Sequence, residues 1–228
     1  DMVQSRGLGD VYKRQDLRKY LDEDFIFVPY CRPGFTLTME IKKLILPSTK
    51  ILILENHGLI VAGDDIEDTY KLLLKIHEKL DLIRNEKLGL NYLDKITNIV
   101  GYIHKNTDKY NLFSTQNEKL FSLFSKSFYP DHVIFLGPGI PTFSEENEAN
   151  EFIQNLKRKN INLPPYLILK YKGLFENTLA IPAAKEMIDC FLEVLLRIDL
   201  SKSFKFLSSH QESELLNWDI EIYRQSIN

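Results

Sequence analysis

Cysteine is scarce in these 228 residues: there are two, Cys31 and Cys190, far apart along the chain. That excludes a disulfide framework and fits a reducing cytoplasm. Charge of one sign is missing as well. Lys and Arg number 29 against 32 Asp and Glu, for a net charge of −3, so nothing electrostatic favours nucleic acid or an anionic membrane as a partner. Basic residues are scattered apart from Lys157-Arg158-Lys159, which sits where a helix is expected to end and suits its negative pole. No apolar run approaches the roughly 18–20 residues of a membrane span, and no signal peptide is visible. Histidine pairs are absent too: the five histidines are His57, His77, His104, His132 and His210, and no two stand at His-x-His spacing. What the chain does have is 44% hydrophobic and 11% aromatic residues. That is enough for one large domain or two small ones with real cores.

The most informative stretch is Ile51-Leu52-Ile53-Leu54-Glu55-Asn56-His57-Gly58-Leu59-Ile60-Val61-Ala62-Gly63-Asp64-Asp65. Its first apolar run reads as a buried strand. A polar turn, Glu55-Asn56-His57-Gly58, interrupts it, and a second apolar run follows. The turn sets one imidazole at the end of a strand, beside a glycine that lets backbone or ligand come close. Two readings stand for His57: a metal ligand, or a structural histidine whose ring is satisfied within the fold.

Around this stretch the pattern is α/β. Residues 36–46 read as a helix. Residues 66–84 read as an amphipathic helix with Ile66, Tyr70, Leu73, Ile76, Leu80 and Ile83 at three- to four-residue intervals. Asp64 or Asp65 can cap its start, and Glu67 and Asp68 suit its positive end. The same acids lack the spacing of a calcium loop. Residues 85–127 are polar and helical in patches, with a break at Asn106-Thr107-Asp108 and a loose boundary near 104.

A repeat recurs at an offset of 115 without a gap. Leu52-Ile53-Leu54 returns as Leu167-Ile168-Leu169, Gly58-Leu59 as Gly173-Leu174, and Ile66, Glu78, Leu80 and Ile83 as Ile181, Glu193, Leu195 and Ile198. Upstream, Pro33-Gly34 and its helix find a counterpart in Pro138-Gly139 and a helix over 145–158. Each half then reads strand, Pro-Gly turn, helix, strand, turn, strand, helix, although any two α/β units share some of this. At the turn, Asn56 becomes Tyr171 and His57 becomes Lys172. The second copy therefore lacks the candidate ligand and is expected to serve structure, assembly or substrate enclosure.

The order Pro29-Tyr30, Gly34, helix, strand, Asn56-His57-Gly58, strand, Gly63-Asp64, helix resembles the C-terminal half of the class II aldolase/adducin family, over about residues 24–84. Within it the chain is most similar to the rhamnulose-1-phosphate aldolase-like branch with an extra C-terminal region. The features shared with that branch are Pro130-Asp131-His132-Val133 and the ending Leu215-Leu216-Asn217-Trp218-Asp219-Ile220-Glu221-Ile222-Tyr223, and they cover about residues 128–225. The resemblance implies a layered, mixed, largely antiparallel sheet flanked by helices, followed here by the degenerate second unit. It implies retro-aldol cleavage of a sugar or sugar phosphate. Zinc held by three histidines would polarise the ketone while a carboxylate moves the proton. His57 matches the third ligand. The His-x-His pair that gives the other two, the phosphate loop and the acidic proton carrier have no counterpart in this chain. Self-association is compatible with the family, and an adducin-like, non-catalytic role in binding or assembly is the alternative.

The chain starts at Asp1, and residues 1–15 carry no periodicity that continues into the body. They are expected to be a non-native leader. Residues 16–103 are then the C-terminal part of an aldolase-like domain and 104–228 the second unit, the whole being a piece of a longer protein that is inactive alone; a genuinely shortened, metal-free relative is the alternative.

Other candidates weigh less. Leu136-Gly137-Pro138-Gly139 after an expected strand at 133–135 resembles a dinucleotide loop. Thr142 occupies the third glycine position, however, and Pro141 lacks an amide donor, so a tight turn is expected. Asp131 and His132, at the start of that strand, would point to opposite faces. His77 is expected half-exposed on its helix, and His104 and His210 in surface loops. Arg32 could grip a phosphate or carboxylate, or form a surface ion pair. Tyr30 could bind substrate or simply pack. Trp218 is expected to dock the tail onto the second unit.

Overall fold

The computed structural model describes residues 17–81 and 98–219. The expected leader 1–15, Ile83 with the end of its helix, and the last residues of the branch-like ending lie outside them.

The first unit runs β1 (Ile26–Val28), α1 (Phe35–Leu44), β2 (Ile51–Leu54), β3 (Gly58–Val61) and α2 (Ile66–Asp81). Strand β2 pairs parallel with β1 and antiparallel with β3, giving the order β1-β2-β3. The second unit opens with β4 (Tyr102–His104) and a 3-10 turn (Asp108–Ser114), followed by α3 (Glu118–Leu123) and α4 (Pro130–Leu136). Next come β5 (Thr142–Phe143), α5 (Glu146–Arg158), β6 (Tyr166–Leu169), β7 (Gly173–Asn177), α6 (Pro182–Leu196) and α7 (Ser209–Leu216). Its sheet has the order β4-β7-β6-β5, with only β5 and β6 parallel. The fold is thus mixed α/β, with two mostly antiparallel sheets flanked by helices.

The offset of 115 holds in the backbone. Leu54 pairs with Gly58 as Leu169 pairs with Gly173. Glu55 N donates to Val28 O as Lys170 N donates to Phe143 O, and Ala62 N to Lys50 O as Asn177 N to Pro165 O. Side chains follow the same alternation. Ile51 and Ile53, like Tyr166 and Ile168, face one large core that also takes in Ile76, Phe128, Phe191 and Leu195. Leu52 and Leu54 turn instead to α1, and Leu167 and Leu169 to Ala149 and Ile153 of α5. A strand buried on both faces reads as an unbroken apolar run, which is why ILIL and YLIL stood out in the sequence.

Helix starts have local causes. Asp65 Oδ1 accepts from Asp68 N at 2.8 Å ahead of α2. Glu145 and Glu148 form a capping box before α5, and Ser208 and Gln211 another before α7.

Several expectations need correction. Residues 133–135 are not a strand: they lie in α4, with Pro130 in its first turn and every residue from His132 to Leu136 buried. A short apolar run does not tell a buried strand from a buried helix by period, and Pro in the first turn favours the helix. The strand of this unit is β5, which follows Pro138-Gly139, so that pair is not the counterpart of Pro33-Gly34, which lies between β1 and α1. On α2 only part of the expected stripe is covered. Ile76 and Leu80 are buried, whereas Ile66 and Tyr70 are exposed.

Candidate functional site

The Glu55–His57 turn closes the β2–β3 hairpin. His57 N donates to Leu54 O at 3.1 Å, and Glu55 N extends the parallel pairing by donating to Val28 O at 2.9 Å. Asn56 adopts φ 53° and Gly58 φ 140°. An L-residue in the left-handed region costs about 1–2 kcal/mol, least for Asn, and glycine is free of it. The sequence places Asn and Gly where the hairpin asks for them. His57 itself is half-buried.

Its neighbours in the turn are tied down. The Glu55 carboxylate accepts from Tyr30 N at 3.0 Å and from Lys205 Nζ at 2.7 Å. The Asn56 amide, 1% exposed, donates to Phe128 O at 2.8 Å and to Lys205 O at 2.9 Å. Tyr30 therefore lies beside the His57 turn. Burial pushes its phenol up to about 12, with Glu214 adding and Arg32 opposing, so the hydroxyl stays protonated near neutral pH and can serve as a donor. Arg32 is exposed and turns elsewhere: its guanidinium carbon sits 5.4 Å from the centre of the Trp218 ring. Trp218 thus docks on the first unit, not the second, and lies close enough to Gly34 that a methyl group there would meet its ring at 3.1 Å. The absence of a side chain at Gly34 opens that seat.

The remaining histidines are dispersed. His77 is half-exposed on α2. His104 is not in a surface loop: it belongs to β4, makes a 2.7 Å hydrogen bond with Lys172 O and stacks on Phe175 at 4.7 Å. His210 is exposed, but in the first turn of α7, beside Glu214 at 3.5 Å. His132 is fully buried among Phe128, Tyr129 and Phe191. Among the described residues no three His, Cys, Asp or Glu side chains converge as a metal-holding group. Among the described residues, those around His57 supply one imidazole and do not by themselves complete a zinc centre. Glu55 is held by Lys205 and Tyr30, and Asn56 is turned to backbone carbonyls. In the second unit Lys172 stands at the turn, 3.9 Å from Glu146.

The Gly137-Pro138-Gly139 segment is a tight turn. Gly139 takes φ 76°, and a Cβ there would come within 2.3 Å of Ser125 O. The Glu55–Lys205 and Asn56 contacts were not foreseen. They join residues up to 150 positions apart, and no local spacing signals that. No described helix is long and apolar enough to cross a membrane.

Residues 6–82 match the family model of the class II aldolase and adducin N-terminal domain. That span, about a third of the chain, takes in β1, α1, the His57 hairpin and all of α2, and it is similar to that domain. A protein of Bacillus subtilis (strain 168) named uncharacterized oxidoreductase YuxG is 32% identical over 67 residues, 28% of this chain and 10% of the relative. The chain spans about a tenth of that relative's length. No solved structure matches.

Proposed function

We propose that this chain contributes His57 to a divalent-metal site, most simply zinc, of an aldolase-type lyase that cleaves a sugar or sugar phosphate, within the rhamnulose-1-phosphate aldolase-like branch. The observation that carries the reading is the Asn56-His57-Gly58 turn, held at the end of a fully buried strand inside the segment that matches the aldolase family. In such a site a bound divalent ion supplies Lewis-acid stabilisation of the negative charge that develops on the substrate oxygen. This chain's part is to present one imidazole at a fixed place, with Tyr30, whose backbone is tied to the turn, and Arg32, seated against Trp218, as the substrate-binding residues of this reading. The other ligands come from sequence beyond this chain or from a second polypeptide, so residues 1–228 alone do not catalyse the cleavage.

The test joins this chain to the segment that supplies a His-x-His pair. Metal content should approach one ion per site, and cleavage of a ketose phosphate should appear and be lost with chelator. His57→Ala should remove both, while His77→Ala should leave both. Full metal occupancy and activity in His57→Ala would overturn the reading. So would zinc-dependent cleavage by residues 1–228 alone.

A specific feature favours a second, adducin-like reading. Helix α1 has no buried residue, and Phe35, Met39 and Leu44 on it are exposed, Phe35 to 80%. Such an apolar face suits assembly. Metal analysis separates the two readings, since the assembly role needs no ion at His57.

A further inference from the structure

The His57 turn comes with an internal control. Its counterpart in the second unit places Tyr171 where Asn56 stands, at φ 63° against 53°. Lys172 N donates to Leu169 O at 3.0 Å, as His57 N donates to Leu54 O at 3.1 Å. The same backbone turn therefore forms around a residue with no amide to offer. Tyr171 is exposed and sends its hydroxyl to Glu118 at 3.1 Å. Making the turn does not require what the Asn56 side chain does.

That side chain has a different task. Both of its amide hydrogen bonds reach carbonyls in the second unit, 72 and 149 residues further along the chain. The two acceptor segments are bound to each other, because Leu207 N donates to Ser127 O at 2.9 Å. The Glu55–Lys205 ion pair runs alongside. Without the amide, two carbonyls would face a buried gap unpaired, at a cost that favours rearrangement of the hairpin tip. We propose that Asn56 is a positioning residue: by anchoring its turn to the second unit it sets the direction in which His57 presents its imidazole. The significance of this for catalysis rests on the role proposed for His57, but the anchoring does not.

The experiment uses the full chain, labelled at histidine Cε1, with its five ring signals followed by NMR at one fixed pH. His57→Gln assigns the signal of interest. Asn56→Gly keeps the left-handed backbone and deletes the amide. Asn56→Asp keeps the shape and turns an acceptor towards two acceptors. In both variants the His57 signal should shift or split while those of His77, His104 and His210 stay in place. A role confined to holding the two units together would lower the melting temperature and leave the His57 signal where it was. That outcome in Asn56→Gly overturns the proposal. Should Asn56→Asp fail to fold, Asn56→Gly decides alone. If His57→Ala kept metal and activity, the function reading would fall and the NMR result would be untouched, so the two failures are distinct.

Discussion

At the scale of single residues, His132 is an exacting position. Its ring is fully buried, and among the described residues neither ring nitrogen has a hydrogen-bond partner. It meets Phe191 edge-on at 4.6 Å and Tyr129 at 5.6 Å. Burial alone holds its imidazole far below the ordinary 6.5, at about 3. The sign of the linkage follows. Between those values the unfolded chain binds a proton that the folded chain refuses, so stability is highest above 6.5 and declines as pH falls towards 3. One such proton gives a slope of at most about 1.4 kcal/mol per pH unit. His132→Leu should flatten the decline in melting temperature between pH 6.5 and pH 5, because leucine fills a similar space without titrating. Parallel pH profiles for wild type and variant would show that other groups set the slope. The sequence flagged His132 as half of an Asp-His pair. Its role reads differently once α4 is seen to be a helix that faces α6 and α7 inside the core.

Elements built on local pattern were legible. The two four-residue apolar runs, the Asp65 cap, the basic end of α5 at Arg158 and the glycine turn at 137–139 all follow from nearest-neighbour chemistry. Elements that depend on what packs against them were not. Residues 130–136 could have been strand or helix until Pro130 and a core on all sides decided it. Ile66 and Tyr70 fit the period of α2 without being covered. At the site, the Asn-His-Gly turn was visible, but Lys205 and Phe128, which hold it, come from far along the chain. Glu23 shows the same limit and gives a prediction. It precedes β1 and bridges to Lys75 at 2.7 Å and Lys79 at 3.0 Å on α2. Burial pushes its carboxyl up, but the two ammonium groups outweigh burial and hold it down at about 2. Its contribution is therefore complete above the ordinary 4.5 and is lost as pH falls towards 2. With the side chain 15% exposed, Glu23→Gln should cost about 1–2 kcal/mol, between an exposed and a buried pair. For a chain of this size that is a melting-temperature drop of about 2–8 °C at neutral pH. The difference should shrink as pH is lowered through 4.5. A difference that persists unchanged in acid would assign the effect to packing.

The whole molecule carries the α/β unit twice, and the two copies share an interior. Ile51, Ile53, Ile76 and Leu80 from the first half lie in one cluster with Phe128, Phe191, Leu195 and Leu215 from the second. The cluster under α1 is small by comparison and private to the first half, and the small cluster under α5 joins Ile99 and Tyr102 to the second. Cut near residue 104, the first half would keep the hairpin and α2 but lose what covers the inner face of its sheet. Three short strands and two helices, one of them with no buried residue, leave too little apolar area to offset the entropy of ordering the chain. The Asn56 and Glu55 contacts would go as well, since their partners lie beyond the cut. The expected outcome is that the intact chain melts in a single transition, seen alike by far-UV circular dichroism and tryptophan fluorescence. Residues 16–103 expressed alone should show no cooperative melt and should bind a hydrophobic dye in buffer without denaturant. Because Trp218 docks against Gly34 in the first unit, its fluorescence reports on contact between the two halves as well as on the tail. A cooperative transition from residues 16–103 alone, or two separated transitions in the intact chain, would show that each copy is an independent folding unit. The His57 turn would then owe its geometry to its own half.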